Sequence, residues 1–159
     1  MKLMRNSQEI KGSNGDNMKV VFVCTGNTCR SPMAEAIFKD LVRDAEVISA
    51  GIYASYGEKA APNAIKVCEK YGLDLTNHSS QNIGGVNLAY DDLILTAEYR
   101  HKKELLNAFP NLEIRTINEY AECGYEDIAD PIGGDFDDYE NCFLEIRESL
   151  EKIVEIHDF

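Results

Sequence analysis

The stretch Cys24-Thr25-Gly26-Asn27-Thr28-Cys29-Arg30-Ser31 lies between the apolar run Val20-Val21-Phe22-Val23 and the helical sequence Pro32-Met33-Ala34-Glu35-Ala36-Ile37-Phe38. A buried strand therefore ends at a cysteine, a short turn closes on an arginine, and a helix starts at once. Ser31 suits the N-cap and Pro32 the first helical position. In such a turn the backbone N–H groups gather at the positive end of the helix dipole and form a nest for an anion. Arg30 adds a planar, two-pronged donor for phosphate-type oxygens. The same field would favour the thiolate of Cys24 and make it a nucleophile. Gly26 and Asn27 are the residues able to take the positive φ that a tight turn of this kind demands. The turn has neither the Gly-Lys-Ser/Thr ending of a nucleotide P-loop nor the several glycines of a dinucleotide fingerprint. It is an anion site with a sulfur in it.

Beyond this motif, short apolar runs alternate with helical patterns. Met18 to Val23 predicts a strand, and Ala34, Ile37, Phe38 and Leu41 mark one face of the first helix. Val47-Ile48-Ser49 predicts a second strand, ended by Gly51. Pro62 opens a second helix with Ala64, Val67, Cys68 and Tyr71 on one face and Gly72 past its end. Leu93-Ile94-Leu95 predicts a third strand, followed by a helix from about Glu98 to Ala108 that stops before Pro110. Glu113 to Ile117 predicts a fourth strand. Phe136, Tyr139, Phe143, Ile146, Leu150 and Ile153 mark a long C-terminal helix. The alternation predicts a single α/β domain over 18–159, a four-stranded parallel sheet with helices on both faces. Ligands of such sheets bind outside the carboxyl ends of the strands, where Cys24 falls. Residues 1–17 are polar and rich in Gly, Ser and Asn, and read as a flexible leader outside the fold.

A phosphocysteine reaction needs an acid for the leaving group and then a base for water. Asp130, in Ala129-Asp130-Pro131, is the candidate, with Pro131 holding it out of the helical region. The bland reading of Asp-Pro-x-Gly is an Asx-type turn before a helix. Asp127, Asp135, Asp137 and Asp138 read as loop charges and first-turn residues that complement the helix dipole. His101 and His157 fall within helices and are expected to face solvent.

The run VCTGNTCRSPMAEAIF, with Ser49-Ala50-Gly51, His78, Leu95-Thr96-Ala97-Glu98 and Asp130-Pro131-Ile132-Gly133-Gly134, resembles the low-molecular-weight protein tyrosine phosphatases. The resemblance extends from about Met18 to the C-terminus and implies a flavodoxin-like topology. It implies Cys24, Arg30 and Asp130 as catalytic residues, with Thr25, Gly26, Asn27, Thr28, Cys29, Ser31 and Ile132 lining the substrate site. By the same resemblance Asn27 braces the loop through Ser49 and His78, Ser31 stabilises the thiolate, and Cys29 forms a reversible disulfide with Cys24 under oxidation. Thr25 and Thr28 together with Asp-Pro-x-Gly-Gly resemble the bacterial branch that removes phosphate from arginine side chains. Tyrosine-specific members usually carry a bulky aliphatic residue where Thr28 stands. Ile132 departs from that branch, whose members tend to have an aromatic residue there. A phosphoguanidinium is planar and polar, so the Thr28 hydroxyl and the Asp130 carboxylate suit it. A phenyl ring would want an apolar slot, to which Tyr53 and Tyr56 could add a wall.

At 159 residues the chain is long enough to bury a core without staples. Its net charge of −12 argues against nucleic-acid partners and confines positive potential to the loop. No apolar run approaches membrane-spanning length and no signal peptide opens the chain. Five cysteines disfavour a disulfide framework and suit a reduced, cytoplasmic protein. Cys68 and Cys142 are expected in the core, and Cys123 in a loop without a role. No spacing of Cys or His suits a metal, and no cofactor is expected. The implied partners are phosphorylated protein substrates. A thiol-coupled arsenate reductase shares the loop but needs resolving cysteines, and none lies between Cys68 and Cys123. A non-catalytic oxyanion-binding module is the remaining alternative, and the intact Cys, Arg and Asp set argues against it.

Overall fold

The computed structural model describes residues 18–159, so the leader expected over 1–17 lies outside the described residues. The elements run β1 (Lys19–Cys24), α1 (Arg30–Leu41), β2 (Glu46–Gly51), α2 (Pro62–Lys70), β3 (Leu93–Thr96), α3 (Tyr99–Ala108), β4 (Glu113–Thr116), α4 (Ile117–Tyr120) and α5 (Phe136–Ile156), with a 3₁₀ turn at Ile83–Gly85 between α2 and β3. The four strands form one parallel sheet in the order β2-β1-β3-β4. From β1 the chain moves one way to β2 and the other way to β3. The carboxyl end of β1 is therefore the switch point at which open α/β sheets bind ligands. Cys24 is its last residue.

Strand residues alternate between two apolar layers because successive side chains point to opposite faces. Val20, Phe22, Leu93 and Leu95 join α1, α2, α4 and α5 in the larger core. Val21, Val23, Ile94 and Ile114 join Leu105 of α3 in the smaller one. On α5, Tyr139, Cys142, Phe143, Ile146, Leu150 and Ile153 are buried along one side, as their spacing predicts. Phe143 stacks on Tyr71 at 4.9 Å between ring centroids, fixing α5 against the end of α2. Each such buried side chain contributes roughly 1.5–3 kcal/mol over an exposed one.

Several local expectations are corrected. Helix α1 starts at Arg30 with Cys29 at its N-cap, so Ser31 and Pro32 lie inside the first turn and Ser31 is free to serve the loop. The fourth strand ends at Thr116 because Thr116 and Glu119 close a capping box that starts α4. His101 is buried, contrary to its expected exposure, because it faces the sheet one helical turn before Leu105. His157 lies just past α5, stacked on Tyr120 at 3.8 Å, and its Nε2 bonds the Tyr120 carbonyl at 3.0 Å. Cys68 and Cys142 are buried and Cys123 is exposed. Among the described residues no helix is long and apolar enough to cross a membrane.

Candidate active site

The loop from Cys24 to Arg30 is fixed by its own side chains more than by its backbone. Asn27 carries the left-handed conformation, φ 58°, whereas Gly26 does not, so the positive φ is borne by the residue whose side chain can brace the turn. Asn27 is fully buried. Its Nδ2 donates to Ser31 Oγ at 2.8 Å and to Ser49 Oγ at 3.0 Å, and its Oδ1 accepts from Gln81 N at 2.9 Å. His78 Nε2 bonds its carbonyl at 2.7 Å. Ser49 in turn donates to Glu35 Oε1 at 2.6 Å. Ser31 Oγ accepts from Asn27, and its own hydrogen lies between the Cys24 sulfur, 2.9 Å away, and the Ala50 carbonyl, 3.4 Å away.

The loop is tied at its beginning to the segment after β2 and at its far side to the start of α2. The Cys24 and Thr25 carbonyls accept from Ile52 N and Tyr53 N, each at 3.0 Å. Gly51 permits this approach: a Cβ there would stand 2.5 Å from the Thr25 carbonyl oxygen. Thr28 O accepts from Ala61 N at 2.9 Å, which pins the far side of the loop to the start of α2. No backbone N–H from Thr25 to Ser31 donates to another described residue outside the ladder of α1 itself. Thr25, Gly26 and Thr28 are half-buried, so this row of amides is both unpaired within the chain and reachable by an outside acceptor.

Arg30 is only 2% exposed, an unusual place for a guanidinium without partners. Its Nη1 donates to Glu98 Oε2 at 2.5 Å and to the Ile128 carbonyl at 2.6 Å. Its Nη2 lies 3.5 Å from Asp130 Oδ2. With one prong occupied, the other faces the Asp130 side of the pocket. Burial works against the Glu98 carboxylate, but hydrogen bonds from Arg100 and Arg30 hold it well below the usual range, at about 2.

Asp130 sits 35% exposed at the edge of the pocket. Its Oδ1 accepts from Ile132 N at 3.1 Å, so the Asx-type turn is present, and its other oxygen remains directed at Arg30. Gly133, at φ 82°, turns the chain into α5, where Asp135 and Asp138 form a capping box rather than standing as loose loop charges. Asp127 accepts from Tyr99 N at the start of α3. Ile132 is 70% exposed beside Asp130, and Tyr53 and Tyr56 are each 66% exposed, Tyr53 held by Glu104. Thr28 is half-buried, its hydroxyl 3.8 Å from the Cys29 sulfur. Cys29 is a free, buried thiol that meets Tyr139 Oη at 3.4 Å, and burial raises its pKa.

The structure thus brings Cys24, Arg30, Ser31, Asn27, Ser49, His78 and Asp130 around one loop. Sequence reasoning gave no role to Glu98, Arg100, His101 or the Ile128 carbonyl, which hold the loop from the β3–α3 side. The spelling Thr96-Ala97-Glu98 at a strand's carboxyl end was the available signal for Glu98. A sulfur in hydrogen-bond contact with a hydroxyl, unpaired amides, a half-occupied guanidinium and a carboxylate opposite it can together receive a phosphoryl group.

Residues 19–157 match the model of the low molecular weight phosphotyrosine protein phosphatase family. The chain is 36% identical over 143 residues to a protein-arginine-phosphatase of Bacillus subtilis (strain 168), covering 86% of this chain and 95% of that protein. It is 34% identical over 142 residues to the low molecular weight protein-tyrosine-phosphatase PtpB of Staphylococcus epidermidis, covering 89% of this chain and 100% of that protein. Among solved structures it is similar to a mutant of the YwlE arginine phosphatase with a phosphorylated active-site serine, at a TM-score of 0.78 and 32% identity over 87% of this chain and 94% of that one.

Proposed function

The chain belongs to the low molecular weight phosphotyrosine protein phosphatase family, and from that premise we propose a cysteine-dependent phosphatase that removes phosphate from arginine side chains of proteins through a phosphocysteine intermediate. The observation that carries the chemistry is the Cys24 sulfur, 2.9 Å from the Ser31 hydroxyl and followed by a row of unpaired loop amides. Cys24 attacks phosphorus in line, the P–N bond breaks, and Asp130 delivers its proton to the departing guanidine nitrogen. Arg30 and the loop amides hold the phosphoryl oxygens, the largest electrostatic contribution to the barrier. Water then attacks the phosphocysteine while Asp130 takes a proton from it, the S–P bond breaks, and phosphate leaves with Cys24 restored as the thiolate.

The choice of phosphoarginine rests on Thr28 and Asp130, a hydroxyl and a carboxylate that can accept from guanidinium N–H groups. Similarity to a protein-arginine-phosphatase supports it. Exposed Ile132 and Tyr53 at the rim favour phosphotyrosine as the second reading, which similarity to PtpB also supports. Phosphorylated proteins are the proposed partners, nucleic acid is not, and a cytoplasmic setting accords with the free cysteines. The test is kcat/KM on matched phosphoarginine and phosphotyrosine peptides. A preference for phosphoarginine supports the proposal, and a preference for phosphotyrosine overturns the substrate assignment.

A further inference from the structure

The start of α3 grips the catalytic loop at both ends. Glu98 takes Arg30 at the end of the loop, while Arg100 and His101 take Thr25 at its beginning. The direction of these bonds is fixed by their chemistry. Glu98 N donates to His101 Nδ1 at 3.2 Å, so Nδ1 must carry a lone pair. His101 is 1% exposed, and a neutral ring bonded in this way bears its hydrogen on Nε2. Nε2 therefore donates to Thr25 Oγ1, 2.9 Å away. Arg100 Nη2 also donates to Thr25 Oγ1, at 2.9 Å, and a guanidinium cannot accept. Both lone pairs of the Thr25 oxygen are then filled. Its one hydrogen has no acceptor among the described residues.

Resting on the phosphatase reading above, we infer that Thr25 is a dedicated donor to a phosphoryl oxygen of the substrate, with His101 and Arg100 as the positioning residues that keep it so. A hydroxyl saturated as acceptor cannot receive a guanidinium N–H. Arg100, paired with Glu98, is a donor only and offers a guanidinium no acceptor there. The Thr25 edge of the pocket therefore faces the anionic part of the substrate. Thr28 and Asp130 are left to meet the leaving group. The two threonines of the loop have different tasks: Thr25 binds what every phosphomonoester and phosphoguanidine shares, and Thr28 meets what distinguishes them.

The inference is tested by Thr25→Val and Thr25→Ser, measured for kcat/KM on phosphoarginine and phosphotyrosine peptides and for calorimetric affinity towards inorganic phosphate. Thr25→Val should lower phosphate affinity and both kcat/KM values about ten- to a hundredfold, by the same factor for each substrate. Thr25→Ser, which restores the hydroxyl, should recover most of the loss. A Thr25→Val loss confined to the phosphoarginine peptide, or unchanged phosphate affinity, overturns the inference. Phosphate affinity reads the Thr25 contribution even in the absence of turnover, so failure of the phosphatase reading is distinguishable from failure of this one. The ring ¹⁵N spectrum of the wild-type protein at neutral pH gives a second readout. It should show His101 protonated at Nε2 and bare at Nδ1, and the reverse tautomer would overturn the assignment because Thr25 would then spend its hydrogen on the imidazole.

Discussion

Replacing Asn27 by alanine removes three side-chain hydrogen bonds and puts a Cβ-bearing residue without a compensating amide at φ 58°. The left-handed conformation costs alanine about 1 kcal/mol that asparagine largely escapes. Loss of the Oδ1 acceptor orphans Gln81 N–H in a half-buried position, about 1–2 kcal/mol, and the two donated bonds are worth roughly 1 kcal/mol each. We therefore predict that Asn27→Ala destabilises the fold by about 4 kcal/mol. Asn27→Gly loses the same bonds but takes the positive φ freely, so it should be about 1 kcal/mol more stable than the alanine variant. Asn27→Asp keeps the acceptor for Gln81 but draws the Ser31 hydrogen towards its carboxylate and away from the Cys24 sulfur. It should lose activity out of proportion to stability. Urea unfolding followed by circular dichroism, with activity measured under native conditions, checks all three. An alanine variant within about 1 kcal/mol of wild type, or a glycine variant less stable than alanine, would refute the account of the loop.

Asp130→Asn should lower turnover by about two to four orders of magnitude, and by less for substrates with very good leaving groups; an equal loss across leaving groups in a steady-state series would move Asp130 from proton transfer to binding. Thr28→Ile should depress kcat/KM on a phosphoarginine peptide about ten- to a hundredfold relative to a matched phosphotyrosine peptide, because it removes a polar partner and narrows a polar slot. Burial and the Arg30 charge push the His101 pKa down to about 4 from 6.5, so the unfolded state binds the extra proton and stability falls as pH drops from 6.5 towards 4. That shift corresponds to about 3 kcal/mol, readable as a lower urea midpoint at pH 4 than at pH 7; Glu98, held at about 2, adds a further loss only below about 4.5.

The parts of this molecule written in local sequence were readable. Val20 to Val23, the turn from Cys24 to Arg30 and the helix after it fixed one βα unit, and the spacing from Phe136 to Ile153 fixed α5. What escaped was set by partners distant in sequence. Arg30 takes Glu98 and the Ile128 carbonyl, 68 and 98 residues away, and no spacing rule announces either. His101 departs from its expected exposure for a different reason. Its burial follows from sharing a helical face with Leu105, but a histidine amid Arg100, Lys102 and Lys103 reads as surface unless Leu105 is used to set the phase. The α4 turn was legible in Thr116-Ile117-Asn118-Glu119, a capping-box spelling that the apolar Ile114 and Ile117 masked as strand. Ser-Pro is a strong start signal and points Ser31 to the helix cap, whereas its hydroxyl meets Cys24, Asn27 and the Ala50 carbonyl.

In the proposed reaction phosphate passes through the Cys24 sulfur. The direct measurement is rapid acid quench of the enzyme during turnover of a phosphoarginine peptide, followed by proteolysis and mass spectrometry. One added phosphoryl group is expected on the peptide containing Cys24 in the wild-type protein, and loss of turnover with retained phosphate binding in Cys24→Ser. A phosphoryl group on any other residue, or a Cys24→Ser variant that still turns over at a comparable rate, would contradict it.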